Sequence, residues 1–397
     1  SKPLLAAYVQ AMKAIAARYP NDLDVRTMYA EGLMNTNPWK LWNDNGTQNP
    51  GTQQVLDALQ YVLKRDPRHP GANHYYIHAI EASPHPEAAL ASAEMLDGMM
   101  PAAGHLEHMP AHIMQRVGRY EDAAEANRKG AAADLAYLKE TAAPDYYPMY
   151  LIRNFQFLGS AAGMEGRRAE TIQALKEARQ HIPDQLLFGM PGLDWTASFI
   201  YDGYTKFGMW DDMLKEPAPS PKLAGASISY LQSRATALAS TGKIDEAKAE
   251  LAKAAAIIGS VPSDATQGNN EAKALYEIGQ LKAEARIASA QGKHDEAIGR
   301  LTEAVAREDK LSYNEPSDML FPTRHLLGAQ LLAAGKAPEA EAVYREDLKR
   351  HPNNGWAYFG LGQALAAQKK DAEAASTKKA FEEAWRKADV HLASSAF

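Results

Sequence analysis

The sequence predicts an all-α fold, an array of about eight helix pairs in which each pair stacks on the next. Three features recur together along the chain: short turns that combine a glycine with a basic residue, small residues at a fixed distance after each turn, and prolines that end the following helix. Such recurrence, with several intervals of 34 residues, is typical of a repeat architecture rather than of one layered core. No stretch shows the alternating pattern of a β-strand.

The turns within the helix pairs are the first of these features. Each turn separates two alanine-rich amphipathic runs, and several are followed by a pair of acidic residues. Glycine supplies the positive φ that ends one helix, and acidic residues favour the start of the next. Some turns are 34 residues apart and others 42 to 50, which predicts longer helices or loops in the latter. The turns lie at Pro84, Gly118, Gly166, Gly208, Gly242, Gly292, Gly335 and Lys369.

Small residues and prolines hold constant places relative to these turns. Alanine stands five residues beyond most of them, where a small side chain lets two helices approach closely. Proline stands seventeen residues beyond three of them and ends the second helix of the pair. The alanines are Ala89, Ala123, Ala247, Ala297, Ala340 and Ala374, and the prolines are Pro101, Pro183 and Pro352, with Pro20 and Pro67 in the same role earlier.

One helix pair is interrupted by an insertion at about residues 35–51. The first helix is expected to end near Met34, and the second to begin near Thr52. The segment between them is rich in Asn, Gly and Pro and contains Trp39 and Trp42. It is interpreted either as a surface loop or as a lid packed on a groove.

Composition excludes several classes of protein. The chain of 397 residues has a net charge of -6 with both signs mixed, so it lacks the basic stripe of a nucleic-acid-binding protein. It has no apolar run long enough to cross a bilayer. The absence of cysteine excludes disulfides and thiolate ligands. Because the chain starts at Ser1, it is expected to be either a processed form or a fragment of a longer chain, and a periplasmic or secreted location is favoured over a cytoplasmic one.

The turn and helix pattern resembles the tetratricopeptide-repeat (TPR) family over nearly the whole chain. The segments HYYIHAIEASPHPE, GHLEHMPAHI, GRYEDAAEAN and EAEAVYREDLKRHPNNGWAYFGLGQAL are similar to a group of bacterial TPR proteins without an assigned reaction. The resemblance implies a right-handed α-solenoid, which we expect to form a single domain over residues 1–397. That group often carries HNxHF where this chain has RNFQF from Arg153 to Phe157, so two potential ligands are absent here. Its members also tend to have further repeats ahead of this start.

Six of the twelve histidines lie between residues 74 and 112. Two of them stand ten and six residues before the turn at Pro84, and two others stand ten and six residues before the turn at Gly118. A shift of 34 residues therefore superposes one pair on the other, at equivalent places of adjacent first helices. The pairs are His74 with His78 and His108 with His112.

These histidines predict a transition-metal site. Side chains at i, i+4 and i+7, or at i, i+3 and i+7, share one stripe of a helix. Packed helices lie about 8–10 Å apart, so two facing stripes bring their side chains within mutual reach. Imidazole is the usual ligand of zinc, copper, nickel and iron, and one or two such ions are expected per chain. The candidate ligands are His74, His78, Glu81, His105, His108 and His112, whereas His69 and His85 are expected to face solvent.

The TPR resemblance also implies a ligand groove, because the first helix of each TPR pair lines the concave surface. Glu31 occupies the place equivalent to His78 and His112, which makes it a weaker ligand candidate. Further along, the groove places carry polar, cationic and aromatic residues, and Arg153 and Lys282 among them favour an anionic group. The candidate groove residues are Glu31, Arg153, Gln156, Trp195, Asp202 and His325.

Three functions fit this pattern. The first is a solenoid whose metal site organises a groove for a small molecule or peptide. The second is a metalloenzyme, oxidative or hydrolytic, with an open coordination position. The third is a metal-free scaffold that binds a peptide. Direct binding of an anionic ligand by the histidines, or a purely structural packing role for them, is the alternative to a metal site.

Overall fold

The structure is a computed structural model that describes residues 2–43, 45–144, 146–189 and 193–397. The helices form two compact units, Ser1–Pro144 (unit 1) and Asp145–Phe397 (unit 2). Within each unit, helices that follow one another in sequence pack against one another. The all-α fold of successive helix pairs is therefore confirmed, and the single continuous domain over residues 1–397 stays a prediction.

Unit 1 contains eight α-helices among its described residues, and a short 3₁₀ helix, Pro86–Ala89, leads into the fifth of them. The helices are α1 Lys2–Arg18, α2 Leu23–Thr36, α3 Thr52–Arg65, α4 Pro70–Ile80, α5 Leu90–Leu96, α6 Gly104–His108, α7 Pro110–Arg116 and α8 Tyr120–Glu140.

Unit 2 is also helical. Its described strands are two antiparallel strands of two residues each, which form one hairpin in which Gln267 pairs with Asn270. A 3₁₀ helix, Asp194–Ala197, precedes the fourth helix of this unit. The elements are α9 Pro148–Met164, α10 Arg168–Gln180, α11 Asp184–Phe188, α12 Phe199–Lys206, α13 Trp210–Lys215, α14 Ala224–Ser240, α15 Ile244–Ser260, β1 Thr266–Gln267, β2 Asn270–Glu271, α16 Ala272–Ala290, α17 His294–Glu308, α18 Arg324–Ala333, α19 Ala337–Arg350, α20 Gly355–Ala367 and α21 Asp371–Ala384.

The turns have the backbone geometry that the sequence predicts. The six turn glycines from Gly118 to Gly335 have φ between 63° and 82°, and Lys369 at the equivalent place has φ 59°. This is the left-handed region, which a glycine adopts without a steric cost. The alanines five residues beyond these turns are fully buried at Ala123, Ala247 and Ala297. The predicted close approach of paired helices is thus confirmed.

The insertion lies between α2 and α3, as expected, and it contacts α4. The indole Nε1 of Trp42 donates a hydrogen bond of 2.7 Å to the backbone carbonyl of Ala79. Within the insertion, Trp42 and Gln48 form an isolated β-bridge. Trp39 is 60% exposed. One tryptophan therefore fixes the insertion to the end of α4, while the other faces solvent.

No helix in the described ranges combines the length and the apolar character that crossing a bilayer requires.

Candidate metal centre

The local sequence around α4 places two histidines and a carboxylate on one face of that helix. Pro70 occupies the first turn of α4, where its missing N–H costs nothing. His74 and His78 are one helical turn apart on α4, and Glu81 follows its last residue. The i, i+4 and i+7 spacing turns all three side chains the same way.

The other three histidines stand on two short helices separated by one residue. His105 and His108 belong to α6, and His112 belongs to α7. Pro110 is the first residue of α7. The sequence predicts a helix start or kink at this proline, and the start is confirmed. Helices α4 and α7 pack against each other, so the two sets of histidines face each other.

His69 was expected to face solvent, and this prediction was wrong. The side chain is 11% exposed and caps α4, with its Nδ1 accepting a hydrogen bond from the backbone N–H of Ala72 at 3.1 Å. Its Nε2 lies 3.1 Å from Asp24 Oδ1. Histidine acts here as an N-cap, a role usually filled by Ser, Thr, Asp or Asn. His85, whose side chain is 76% exposed, does face solvent.

The five histidines form one continuous cluster. His74 Nε2 lies 3.1 Å from His105 Nε2, and this contact joins α4 to α6. His108 Nε2 lies 2.9 Å from His112 Nε2. Ring centroids of His78 and His112 are 5.5 Å apart, which links the two contacts. Nitrogens around a tetrahedral zinc ion are about 3.3 Å apart when Zn–N is 2.0–2.1 Å. The spacing of these nitrogens is therefore close to that of a coordinated set.

Two overlapping groups have ligand atoms close enough for one ion. The three-histidine group is His74, His78 and His105, all half-buried, and its ligand atoms lie within 4.8 Å of one another. The carboxylate group is His78, Glu81 and His112, with the last two buried and the same limiting distance. His78 belongs to both.

Glu81 is a buried carboxylate between two imidazoles. Its Oε1 lies 3.0 Å from His78 Nδ1, and its Oε2 contacts His112 Nδ1. Burial opposes its ionisation, but the positive charge that His112 and His78 carry when protonated outweighs burial and lowers the pKa of Glu81. An ionised Glu81 accepts from the Nδ1 of a neutral His78, which leaves His78 Nε2 with a lone pair.

Asn127 on α8 sets the orientation of His108. Its amide Nδ2 donates to the backbone carbonyl of Ala123 at 2.8 Å, so its Oδ1 is the atom that lies 2.8 Å from His108 Nδ1. His108 must then donate from Nδ1 and carry a lone pair on Nε2, a tautomer assigned from the hydrogen-bond network. That nitrogen faces His112 and can accept a proton or a cation.

His74 is held neutral in this cluster. Burial lowers the pKa of His74 to about 2, and the neighbouring His78, His105 and His112 act in the same direction. Glu81 opposes this shift but is outweighed. A metal-ligating imidazole must be neutral, so the surroundings of His74 favour the form that binds a metal.

A cavity of about 210 Å³ opens beside the cluster, and we call it the unit 1 cavity. His74, His78 and Glu81 form one wall. The insertion and the end of α2 also line the cavity. The lining residues from those segments are the apolar Met34, Pro38, Trp39, Leu41 and Trp42 and the polar Glu31, Asn35 and Asn37.

The candidate groove residues have different surroundings. Glu31 lines the unit 1 cavity, as a weaker ligand candidate should. Asp202 and His325 line a second cavity, in unit 2. Gln156 is 4% exposed and donates to the backbone carbonyl of Thr196 at 2.8 Å. Arg153 and Trp195 are half-buried and line neither cavity. Their part in a common ligand groove stays a prediction.

Sequence reasoning missed the residues that orient the histidines from other helices. Asn127 lies on the second helix of its pair, inside an alanine-rich run that reads as packing surface. Lys206 and Asp347, on the two sides of His325, also went unpredicted. A buried polar residue amid alanines was the available signal, because such a residue needs a hydrogen-bond partner.

No protein-family model matches this chain, and neither does any curated protein. Among solved structures, the human IFIT1 dimer with m7Gppp-AAAA is 14% identical over 96% of this chain and 77% of its own, with a TM-score of 0.39. Yeast Tom70 is 14% identical over 97% of this chain and 89% of its own, with a TM-score of 0.40. Both are TPR-repeat proteins. At these TM-scores the likeness adds nothing to the helix-pair architecture already described.

Proposed function

We propose that this chain is a helical-repeat protein that binds a transition metal ion through its histidine cluster and a small molecule or peptide beside that ion. The observation that supports the proposal is the meeting of imidazoles from two consecutive helix pairs, with His74 Nε2 and His105 Nε2 3.1 Å apart. Rings that merely cover a surface do not turn their nitrogens toward one another across two helices. Packing alone is better served by apolar side chains.

The three-histidine group is the favoured primary site. Its members are half-buried, so an ion held there keeps access to solvent. Glu81 stands behind His78 and accepts from its Nδ1 side, the arrangement in which a carboxylate orients a ligating histidine. Three protein ligands leave a fourth position for water or a bound molecule.

The cluster offers places for one ion or two. Since His78 belongs to both groups, one ion accounts for His74, His78 and His105. A second ion held by His78, Glu81 and His112 would require His78 to lose its Nδ1 proton and bridge the two ions as an imidazolate. Imidazole and carboxylate ligands suit Zn, Cu, Fe and Ni.

The unit 1 cavity is the proposed ligand site. It shares His74, His78 and Glu81 with the cluster, and its other lining residues combine apolar and aromatic side chains with Glu31, Asn35 and Asn37. A ligand placed there would contact the ion and also Trp39 and Trp42 of the insertion. Trp42 holds the insertion in this position through Ala79, only one residue from His78 along α4.

A metalloenzyme is the second candidate function. It is favoured by the same open position, because an ion with three protein ligands beside a largely apolar cavity can activate a bound water. A binding protein is expected to release its ligand unchanged, whereas an enzyme is expected to convert it. Product analysis of any ligand that copurifies with the chain separates the two.

Elemental analysis tests the proposal directly. Protein produced without a polyhistidine tag and supplied with Zn, Cu, Fe and Ni should carry at least about one equivalent of one of these ions. The variant with both His74→Ala and His105→Ala should lose it while its helical circular dichroism stays unchanged. His85→Ala is the matched control, because this histidine is exposed and lies outside both groups.

Two results would overturn the metal site. Metal content near zero in the unaltered chain would favour the metal-free scaffold. Equal metal content in the double variant and in His85→Ala would mean that other residues hold the ion.

A further inference from the structure

A second cavity lies within unit 2, and we call it the unit 2 cavity. It has a volume of about 130 Å³ and is lined by residues of α12, α14, α16 and α18. Much of its wall is apolar, including Phe199, Leu275, Met319, Phe321 and Phe397. Its size suits a small molecule rather than a drug-sized one, which needs about 300 Å³ or more.

Two cations on α16 face this cavity and make no direct ion pair with a described residue. Lys282 and Arg286 are at i and i+4, so both lie on the stripe of α16 that lines the cavity. Across the part of the chain that the structure describes, neither has a hydrogen-bond or ion-pair partner. The Arg286 guanidinium instead lies 5.3 Å from the centre of the Trp210 ring. Elsewhere in unit 2, other arginines such as Arg307 and Arg324 do have carboxylate partners.

A third basic side chain, Lys206 of α12, also lines the cavity. Lys206 Nζ lies 2.8 Å from His325 Nδ1 and 3.5 Å from the centre of the Trp356 ring. His325 Nε2 lies 2.9 Å from Asp347 Oδ2. The carboxylate nearest to Lys206 is thus engaged with the imidazole between them. Burial lowers the pKa of Lys206, and the positive charge of Lys282 acts in the same direction.

Two carboxyl groups also line the cavity. Burial raises the pKa of Asp202, and Lys282 only partly opposes that shift. Burial also raises the pKa of Asp318, whose oxygens accept hydrogen bonds from Asn270 at 2.8 Å and Asn314 at 3.1 Å. Three Lys and Arg side chains therefore line the cavity together with two carboxyl groups and a large apolar surface.

We propose that the unit 2 cavity binds a small organic carboxylate, with the carboxylate against Lys282 and Arg286 and the hydrocarbon part against the aromatic wall. Arginine and lysine bind carboxylates through charge-assisted hydrogen bonds. Inorganic phosphate fits less well, because a dianion without an apolar part leaves the aromatic wall unused and faces Asp202 and Asp318. This site uses none of the residues of the histidine cluster.

Isothermal titration calorimetry on the full chain tests the class of ligand. Acetate, butyrate and benzoate are the probes, with butyramide and benzamide as neutral controls of the same shape and inorganic phosphate as the second anion. At least one carboxylate should bind about tenfold or more tightly than its amide and than phosphate. Absence of binding by all three carboxylates, or equal binding of acid and amide, would overturn the proposal, and so would tighter binding of phosphate.

Variants locate the site. Lys282→Met and Arg286→Met keep most of each apolar stem and should each weaken carboxylate binding about tenfold or more. Lys253→Met is the matched control, because its side chain is 63% exposed and lies outside the cavity. The variant His78→Ala should bind the carboxylate as the unaltered chain does, so that loss of the metal site and loss of this site are distinguished. Carboxylate affinity that follows His78 instead of Arg286 would place the binding in unit 1 and refute the proposal.

Discussion

Each unit contains a buried histidine beside a buried carboxylate, but the third member of the two sets differs. In unit 1, His112 contacts Glu81 and its other ring nitrogen lies 2.9 Å from His108 Nε2. In unit 2, His325 contacts Asp347 and its other ring nitrogen lies 2.8 Å from Lys206 Nζ. An imidazole next to the pair adds a potential ligand, whereas the Lys206 amine and the Asp347 carboxylate together occupy both ring nitrogens of His325. The third partner therefore distinguishes the pair that fits the proposed metal site from the pair that does not.

Among these substitutions, we expect removal of the Asp347 carboxylate in unit 2 to have the largest effect on stability. Asp347 is fully buried and accepts hydrogen bonds from His325, His351 and Asn354. Asp347→Ala leaves these donors without an acceptor and should lower the free energy of unfolding by about 3–5 kcal/mol. Urea denaturation measures the change. Asp295→Ala, at a side chain that is 87% exposed, is the control and should leave stability nearly unchanged.

The metal affinities of two single variants distinguish the three-histidine group from the carboxylate group in unit 1. His78→Ala removes a ligand common to both groups and should weaken binding by about 100-fold or more, since even orienting partners account for 10–100-fold. His112→Ala spares the three-histidine group and should have a smaller effect. Competition with a chromogenic chelator measures both affinities. If His112→Ala were the more damaging change, the carboxylate group would be the primary site.

Stability in acid tests the unit 2 pair. Burial lowers the pKa of His325 to about 4, and Lys206 acts in the same direction, whereas a histidine in the unfolded chain titrates near 6.5. Between these values the unfolded chain binds more protons than the folded chain, so the free energy of unfolding increases as the pH rises from about 4 to 6.5. Lowering the pH through this range should therefore destabilise the fold, and the part due to His325 is on the order of 3 kcal/mol.

The comparison is made on metal-free protein by urea denaturation at several pH values. His325→Gln should show a weaker pH dependence over this range than the unaltered chain. His294→Gln should not, because that histidine lies outside the Lys206–His325–Asp347 set. Parallel curves for His325→Gln and the unaltered chain would show that His325 does not titrate as described.

The smallest expected effect concerns the position of α6. A Cβ on Gly104 would clash with the Asp134 carboxylate and lie 2.9 Å from the carbonyl oxygen of Gly130. Gly104→Ala should therefore shift the start of α6, which carries His105, and cost about 1–3 kcal/mol of stability. Metal affinity should fall with it. In Gly299→Ala the added Cβ meets no atom within 4 Å, so this control should be neutral or slightly stabilising.

The helix pairs and the convergence of the histidines were predictable because both depend on spacing. Turn glycines recur along the sequence, and a 34-residue shift places His74 and His78 over His108 and His112. Orientation was not predictable. The tautomer of His108 depends on Asn127, which lies on another helix at a spacing that no repeat period specifies. Partners of this kind are set by packing between helices, and only the folded structure brings them together.

The contact between His74 and His105 crosses from one helix pair to the next. In a linear array of repeats, stability is a sum of local terms and nearest-neighbour interfaces. An ion bound across this junction would act as a staple, strengthening a single interface and leaving the others unchanged. Such a staple would make the two joined repeats unfold as one block, while the distant end of the array could still fray independently.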